Sequence, residues 1–431
     1  MPDDSFSATR RGLIRASGLS AMGLAIGAAG GASSGAPGYP APSEMDIGRV
    51  QNGRVVFPNW RSEAEPRTPP PPAPRAPGER LGYAVVALGR LSLEEILPAF
   101  AECRSSYPAA LVTGSPEKGS VVARQYGIPQ TAVLGYADFE TLRDLPEVKA
   151  VYVVLPNGMH REYTLRAAAI GRHVLCEKPM ANTAAEAQEM VEACARAGVR
   201  LMVAYRCQYE PYNRAAIALV RSGELGRLRF IEATNVQANG PGPQWRYSKA
   251  LAGGGALPDI GLYCLNATRY ITGEEPVEIT ARRYSPPGDE RWKEVEESMS
   301  FGLRFPSGVM ANCLSSYGAF NDKTLRLHFE GGTVEMPDAF SYVGQRLIVS
   351  RKSGNVVGQE ERKIQHKNQF ALEIDHFSER ILADEPPHTP GEEGLRDMRL
   401  METIYRAAAE NRPQAVEPVQ ATTRGPDPRE E

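Results

Sequence analysis

The run Tyr83-Ala84-Val85-Val86-Ala87-Leu88-Gly89-Arg90-Leu91-Ser92 decides how the chain is read. Its first six residues are apolar without interruption, the composition of a strand buried on both faces. Gly89 and the small Ser92 then break the run, and an amphipathic helix is expected from about Leu93 to Arg104. The same unit recurs downstream. Strands are expected at Ala109–Thr113, Ala150–Leu155, His173–Cys176 and Arg200–Ala204, with helices at about Glu117–Tyr126, Glu162–Ile170 and Ala184–Ala197. Buried strands that alternate with helices define an α/β fold with a doubly wound parallel sheet, the architecture that binds dinucleotides.

Ligands of such a sheet bind at the carboxyl ends of its strands, so those ends are taken in order. The first runs into Gly89, Arg90 and Leu91, where a GxGxxG loop would stand, with only one of its glycines present. Ala87 and Ser92 are small, so a phosphate can still approach the backbone at the helix start, where amides point outward. The second strand ends in Thr113, Gly114 and Ser115, without the acidic residue that an NAD site offers to the ribose. The two hydroxyls can donate hydrogen bonds and Lys118 can neutralise a 2′-phosphate, so NADP is favoured over NAD. Tyr136 is assigned to the same cofactor-facing set. The third end supplies Leu155, Pro156, Asn157 and His160; Asn157 is read as a cofactor contact, and His160 as a contact to nicotinamide or substrate, or as a helix cap. The fourth supplies Glu177 and Lys178, followed by Pro179. A lysine between a buried strand and a proline is unlike a surface lysine, and a cis proline there would aim the chain sharply.

The chain has 431 residues, too many for one ordinary domain. Its net charge of −3 gives no sign of a nucleic-acid or acidic-membrane partner. Cys103, Cys176, Cys194, Cys207, Cys264 and Cys313 form no CxxC pair, so no metal site is expected, and several sit in apolar runs that suit free core thiols. Thr9-Arg10-Arg11-Gly12-Leu13-Ile14-Arg15 is a twin-arginine element, followed by a Gly/Ala-rich apolar stretch from about Leu19 to Ala32. That stretch is too weakly hydrophobic for a stable membrane span and reads as an export signal, cleaved between about Ala29 and Pro42. Such signals resemble those of proteins exported already folded to the periplasm, where no soluble nicotinamide pool exists. Tight cofactor retention and a ping-pong cycle are therefore expected. Pro66–Pro74 reads as an extended polyproline arm. The expected organisation is a signal at 1–38, a Pro-rich arm or linker at 39–80, a dinucleotide-binding domain at 81–205, a substrate and oligomerisation domain at 206–413, and a polar tail at 414–431.

Beyond the fourth strand, Ala204-Tyr205-Arg206, Gln244-Trp245-Arg246, Gly253-Gly254-Gly255-Ala256-Leu257-Pro258-Asp259-Ile260-Gly261-Leu262-Tyr263 and Pro390-Gly391-Glu392-Glu393-Gly394 complete a set with Leu155-Pro156-Asn157, His160 and Glu177-Lys178-Pro179. In this order and spacing, the set resembles the glucose–fructose oxidoreductase, inositol dehydrogenase and rhizopine catabolism family, from about Tyr83 to Pro413. The resemblance implies a Rossmann domain followed by an α/β domain with a large, open, mostly antiparallel sheet, commonly paired between subunits, hence a homo-oligomer such as a dimer or tetramer. Strands at Arg229–Gln237, Val277–Tyr284, Glu296–Phe305, Gly308–Ser315 and Thr324–Phe329 agree, as do helices at about Asp259–Ile271, Asn368–Leu382 and Gly391–Ala408. Arg206, Trp245 and Arg246 match family positions near the cofactor.

The resemblance also implies oxidation of an aldose such as glucose at C1 to the lactone, with reduction of a second sugar such as fructose. A C1 hydroxyl loses a hydride and a proton, and the proton needs a base within hydrogen-bond reach. A phenol ordinarily titrates near about 10, and a neighbouring ammonium favours its ionised form. Tyr263 is therefore expected to exchange the proton, with Lys178 tuning it and holding the sugar hydroxyl. Many family members carry histidine at this place. Asp259, four residues earlier, shares a helix face with Tyr263 and can orient the lysine or the sugar. The alternatives are a sugar or polyol dehydrogenase with exchangeable NAD(P), or a non-catalytic sensor on the same fold.

Overall fold

The structure is a computed structural model, described over residues 48–56, 80–240, 242–419 and 422–428. The twin-arginine element and the Pro66–Pro74 arm lie outside the described residues. Six strands form the first sheet: β1 (Leu81–Val86), β2 (Ser106–Val112), β3 (Val133–Leu134), β4 (Val148–Val153), β5 (His173–Glu177) and β6 (Leu201–Ala204). All pairs are parallel, in the order β3-β2-β1-β4-β5-β6. This is the doubly wound order of dinucleotide-binding sheets, whose ligand crevice opens where the order reverses, between β1 and β4. β1 is buried at every residue, as its unbroken apolar run requires.

The helix after β1 starts earlier than expected, at Arg90, and ends sooner, at Ala99. A π turn at Ser92–Ile96 runs into α1 (Leu97–Ala99), and hydrogen-bonded turns replace the rest. Pro98 has no N–H to donate back, so a regular ladder through Arg104 cannot form. The remaining helices on this sheet are α2 (Pro116–Tyr126), α3 (His160–Ala169) and α4 (Ala184–Ala197). Ser115 and Thr183 cap α2 and α4 through their side chains. Part of the expected linker is also ordered, as a two-strand hairpin of Arg49–Gln51 and Arg54–Val56.

The second sheet has nine strands: β7 (Leu228–Val236), β8 (Glu278–Tyr284), β9 (Ser298–Arg304), β10 (Met310–Ser316), β11 (Leu325–Phe329), β12 (Gly332–Met336), β13 (Leu347–Ser353), β14 (Val356–Arg362) and β15 (Gln414–Ala415). Their order is β14-β13-β12-β11-β7-β10-β9-β8-β15, antiparallel except for β7 with β10. One face carries α5 (Pro211–Ser222), α7 (Leu262–Thr272) and α9 (Gly391–Glu410), while a short α6 (Lys249–Ala252) leads toward the first sheet. The two sheets share one continuous apolar core. All six cysteines are buried and free, as their apolar settings imply.

Two segments depart from the expected division. α8 (Gln369–Leu382), from the second half, closes the outer side of the first sheet. Tyr83 Oη lies 2.9 Å from Ser378 Oγ and donates to Ile374 O at 3.2 Å, while the Asp375 carboxylate accepts from Arg104 N and Ser105 N. The expected polar tail is integrated as well. β15 extends the large sheet, and Thr423 and Arg424 bind Glu393. Glu393 and Asp397 in turn hold Arg269, whose side chain is wholly buried and also pairs with Glu275. A buried arginine demands such paired acids, because an uncompensated charge there would be costly. Composition alone reads 414–431 as polar; among its described residues, Arg424 is spent on the buried Glu393.

The end of the described chain also meets two buried histidines. His388 N donates to His376 Nε2 at 2.9 Å, and His388 Nδ1 faces the carbonyls of Gly425 and Pro426. Burial pushes His376 down to about 3 and His388 down to about 4. In the unfolded chain both take up protons as the pH falls through about 6.5, whereas the folded pair stays neutral. Their contribution is therefore intact above that pH and is lost on acidification toward their folded values. Urea unfolding should show a stability loss between pH 7 and pH 5 of about 1–2 kcal/mol per histidine, reduced in His376→Gln.

Candidate active site

Lys178 stands at the carboxyl end of β5, and the Lys178–Pro179 peptide is cis. Its ammonium crosses to the second half of the chain. Nζ donates to Asp259 O at 2.7 Å and to Asp259 Oδ1 at 3.1 Å. The other carboxylate oxygen, Oδ2, accepts from Arg246 Nε at 2.8 Å and from Tyr317 Oη at 2.6 Å. Burial alone would raise the Asp259 carboxyl, but the Lys178 and Arg246 charges and the Tyr317 hydrogen bond outweigh it. The group is held far below the usual carboxylate range.

The turn that aims Asp259 is built by Glu296. Its carboxylate accepts from Gly255 N at 3.0 Å and Leu257 N at 2.9 Å, at the start of the π turn Leu257–Gly261 that leads into α7. These are orphan amides of a helix start, and an anion is the natural partner. A Cβ on Gly255 would lie 1.7 Å from Glu296 O, so only glycine fits there. Tyr405 Oη donates to the same carboxylate.

Asp259 and Tyr263 do face one point in space, as their spacing predicts. Lys178 Nζ lies 4.6 Å from the Tyr263 ring centroid, over the face of the ring, with its hydrogen bonds on Asp259. Tuning of the phenol is thus different from the expectation. Burial raises Tyr263 well above its ordinary value, and the strongest opposing charge is Arg206, not Lys178. The resting side chain is a neutral phenol. Beside it is a small cavity lined by Lys178, Tyr205, Cys207, Leu262, Tyr263, Asn266 and Tyr270.

Three expected cofactor contacts have other principal roles. Arg206 is buried in a cage of Tyr263, Tyr342 and Phe370, with Cζ 4.8, 4.5 and 5.7 Å from their centroids, and donates to Phe340 O and Gln369 Oε1. His160 is fully buried between Leu155 O (2.8 Å from Nε2) and Pro179 O (2.9 Å from Nδ1), so it ties together the loops after β4 and β5. Burial lowers its pKa. Asn157 donates to Ala252 O at 2.9 Å, fastening the same edge to α6. Arg246, besides holding Asp259, has its guanidinium 4.6 Å from the Trp245 ring.

The loop after β1 has the features a dinucleotide needs. Ala87 adopts φ 75°, the left-handed conformation usually left to glycine, and Ser92 Oγ donates back to Ala87 O at 2.7 Å. A Cβ on Gly89 would meet nothing within 4 Å, so the backbone there borders open space beside the helix start at Arg90 and Leu91. Arg90 pairs with Glu94 at 2.9 Å. At the end of β2, Thr113 Oγ1 accepts from Ser115 N and Ser115 Oγ from Lys118 N, and both hydroxyls keep their hydrogens to donate. Gly114 lies against the Tyr136 ring. Lys118 departs from the expectation of an open phosphate ligand: it is 3% exposed, and Nζ donates to Leu88 O at 3.1 Å, clamping the first loop. Leu155 and Pro156 border the crevice opposite. Glu177 is buried and accepts from Tyr152 Oη at 2.8 Å. The surrounding backbone therefore fits a nicotinamide dinucleotide, which the loop amides and the hydroxyls of Thr113 and Ser115 would hold.

This sheet order, the open loop and the lysine at the end of β5 are those of a dinucleotide-binding oxidoreductase fold. Residues 81–205 match the "Oxidoreductase family, NAD-binding Rossmann fold" and residues 213–335 the "GFO/IDH/MocA C-terminal domain". The chain belongs to this GFO/IDH/MocA family. It is 31% identical to a D-xylose 1-dehydrogenase [NADP(+)] of Haloarcula marismortui, over 76% of this chain and 90% of that protein. It is 30% identical to a 1,5-anhydro-D-fructose reductase of Ensifer adhaerens, over 70% and 88%. Among solved structures, aldose-aldose oxidoreductase from Caulobacter crescentus, complexed with glycerol, shares 46% identity with a TM-score of 0.75, covering 78% of this chain and all of that one. The chain is a sugar oxidoreductase of this family.

Sequence reasoning missed Tyr317 and Glu296 as parts of the site. They lie 58 and 37 residues beyond Asp259, a separation that no spacing rule connects. Tyr317→Phe removes one hydrogen bond to a charged acceptor, about 2 kcal/mol. Because Arg246 and Lys178 still hold Asp259, the expected result is a folded protein with sugar turnover reduced about tenfold, read from kcat/KM alongside a thermal melt.

Proposed function

We propose that the protein is an exported oxidoreductase that retains NADP and oxidises one aldose at C1 to its lactone while reducing the carbonyl of a second sugar. The observation that carries this reading is the meeting of Lys178, Asp259 and Tyr263 beside the carboxyl edge of the parallel sheet. The likeness to aldose-aldose oxidoreductase supports a cycle with two sugars. NADP is supported by the NADP(+) that the Haloarcula relative is named for and by the absence of an acidic residue at 113–115.

When bound, the nicotinamide supplies the hydride acceptor and, once reduced, the hydride donor. The ammonium of Lys178 has three N–H bonds; Asp259 takes two, and the third is available to the sugar oxygen. Tyr263, neutral at rest, donates its proton to the carbonyl oxygen in the reducing direction. In the oxidising direction its own proton first leaves to solvent, and the phenolate, stabilised by Arg206 and Lys178, takes the proton of the sugar hydroxyl. Asp259 keeps Lys178 aimed.

Periplasmic export by the twin-arginine route is supported by Arg10 and Arg11 ahead of the apolar stretch, and it gives the reason for cofactor retention. Association of copies, as a dimer or tetramer, is supported by the uncovered face of the nine-stranded sheet. There Met310 and Leu314 of β10 are 51% and 41% exposed. Dehydrogenation with exchangeable NADP is the second reading, favoured by the dehydrogenase named for the Haloarcula relative.

One preparation separates the two. Protein purified without added nucleotide should carry nicotinamide whose absorbance rises on adding glucose and falls again on adding a second sugar. A nucleotide-free protein that needs added NADP would establish exchange instead. Lys178→Ala and Tyr263→Phe should each lower turnover by at least about 100-fold; intact turnover in both would remove them from the chemistry. Replacing Arg10 and Arg11 with lysine should retain the protein in the cytoplasm, measured by cell fractionation.

A further inference from the structure

Behind Lys178 lies a buried group of three oxygens that the chemistry above does not use. Tyr152 Oη, on β4, is 2.8 Å from Glu177 Oε1 and 3.2 Å from Glu373 Oε1, on α8. Tyr152 and Glu373 have no exposed surface and Glu177 has 7%. We propose that Glu373 is a positioning residue of the sugar reaction: it stands as a neutral acid that donates to Tyr152 Oη, which donates to the Glu177 carboxylate beneath Lys178.

A phenol has a single hydrogen, so Tyr152 can donate to one carboxylate only. Glu177 is the better acceptor. Its contact is shorter, and its second oxygen accepts from Lys178 N at 3.2 Å. Glu373 Oε1 meets only the Tyr152 oxygen, and its Oε2 has no hydrogen-bond partner. An ionised carboxylate in that position would have no donor of its own, a costly state for a buried charge. A proton on Glu373 turns the clash of two acceptors into a directed chain from Glu373 through Tyr152 to Glu177. Burial raises both acids, and Glu177 further raises Glu373, in accord with a shared proton.

The surroundings fix what this charge state does. Facing the pair are Tyr152 on β4, Lys178 after β5, Arg206, Cys207 and Tyr209 after β6, and Tyr263 on α7. Lys178 and Arg206 are the cations that contact the Tyr263 ring. With Glu373 neutral, one carboxylate opposes them from below, and both remain available to support the phenolate. Ionisation of Glu373 would add a second negative charge behind them and disfavour formation of the Tyr263 phenolate. Lys178 is thus supported from two sides: Asp259 aims its ammonium, and the Glu177 side chain holds its amide.

This inference rests on the proposed sugar reaction for its kinetic part only. The protonation itself is tested on the purified full chain by difference infrared spectroscopy, without any sugar. A protonated-carboxylic-acid carbonyl band is expected near neutral pH and should vanish in Glu373→Gln. Absence of the band, or its survival in that variant, overturns the proposal whatever the enzyme's substrate. Kinetically, Glu373→Leu should lower kcat about tenfold with little change in sugar KM. Glu373→Gln, which keeps a neutral donor toward Tyr152, should recover most of that loss and shift the alkaline limb of the pH profile upward. Equal losses in the leucine and glutamine variants, or an unshifted alkaline limb, would overturn the positioning role.

Discussion

The ion pair between Lys178 and Asp259 spans the two halves of the molecule. Lys178 comes from the end of a strand in the parallel sheet, and Asp259 from the turn that leads into α7 against the large sheet. Neither charge is well served alone, since both side chains are mostly withdrawn from water. Their pairing therefore constrains everything around it. Arg246 and Tyr317 must satisfy the second carboxylate oxygen, Glu296 must hold the turn, and the Glu177–Pro179 loop must end where the ammonium can reach. A geometry shared by so many partners is preorganised, which is what proton exchange at a sugar hydroxyl requires.

Tyr263 shows how burial and charge compete in such a place. Charge proximity alone suggests a phenol made acidic by a lysine. The ring is instead enclosed by Arg206, Phe340 and the core below α7, and desolvation prevails over the cations. Desolvation keeps the proton on the phenol at rest, in place for a carbonyl oxygen, and the two cations offset the cost of releasing it. The arrangement also shifts weight onto Arg206, which sequence comparison by position would place at the cofactor rather than against the ring.

Much of this was legible in the amino-acid order. Unbroken apolar strands such as Tyr83–Val86 and Val151–Val153 disclosed the parallel sheet, because a strand covered on both faces tolerates nothing else. The helix expected over about Ala184–Ala197 forms over those residues, where the structure shows Thr183 and Gly198 as its caps. Lys178, Asp259 and Tyr263 stood out through motifs with their own local logic. Other parts were not legible, for a common reason. β14 is exposed at nearly every residue and owes its conformation to pairing with β13, and the two-residue β3 is defined only by its neighbour β2. Lys118 and His160 carry chemistry that suits a ligand, yet each is turned to a backbone carbonyl of an adjacent loop. Partners brought together by tertiary contact leave no periodic trace in sequence.

The seam at residue 205 divides the chain by family resemblance, but α8 disregards it. The side of the parallel sheet formed by Tyr83, Phe100 and Ser106 is completed by a helix that arrives some 270 residues after Cys103, whose thiol points to Ala371 O. The nucleotide-binding half is consequently not a portable module. Recombination that exchanged it between relatives at the boundary would join each sheet to a foreign lid, and inheritance has to keep the strands near residue 83 matched to the helix near residue 374. Segments far apart in the gene thus form one packing unit because of where one helix lies.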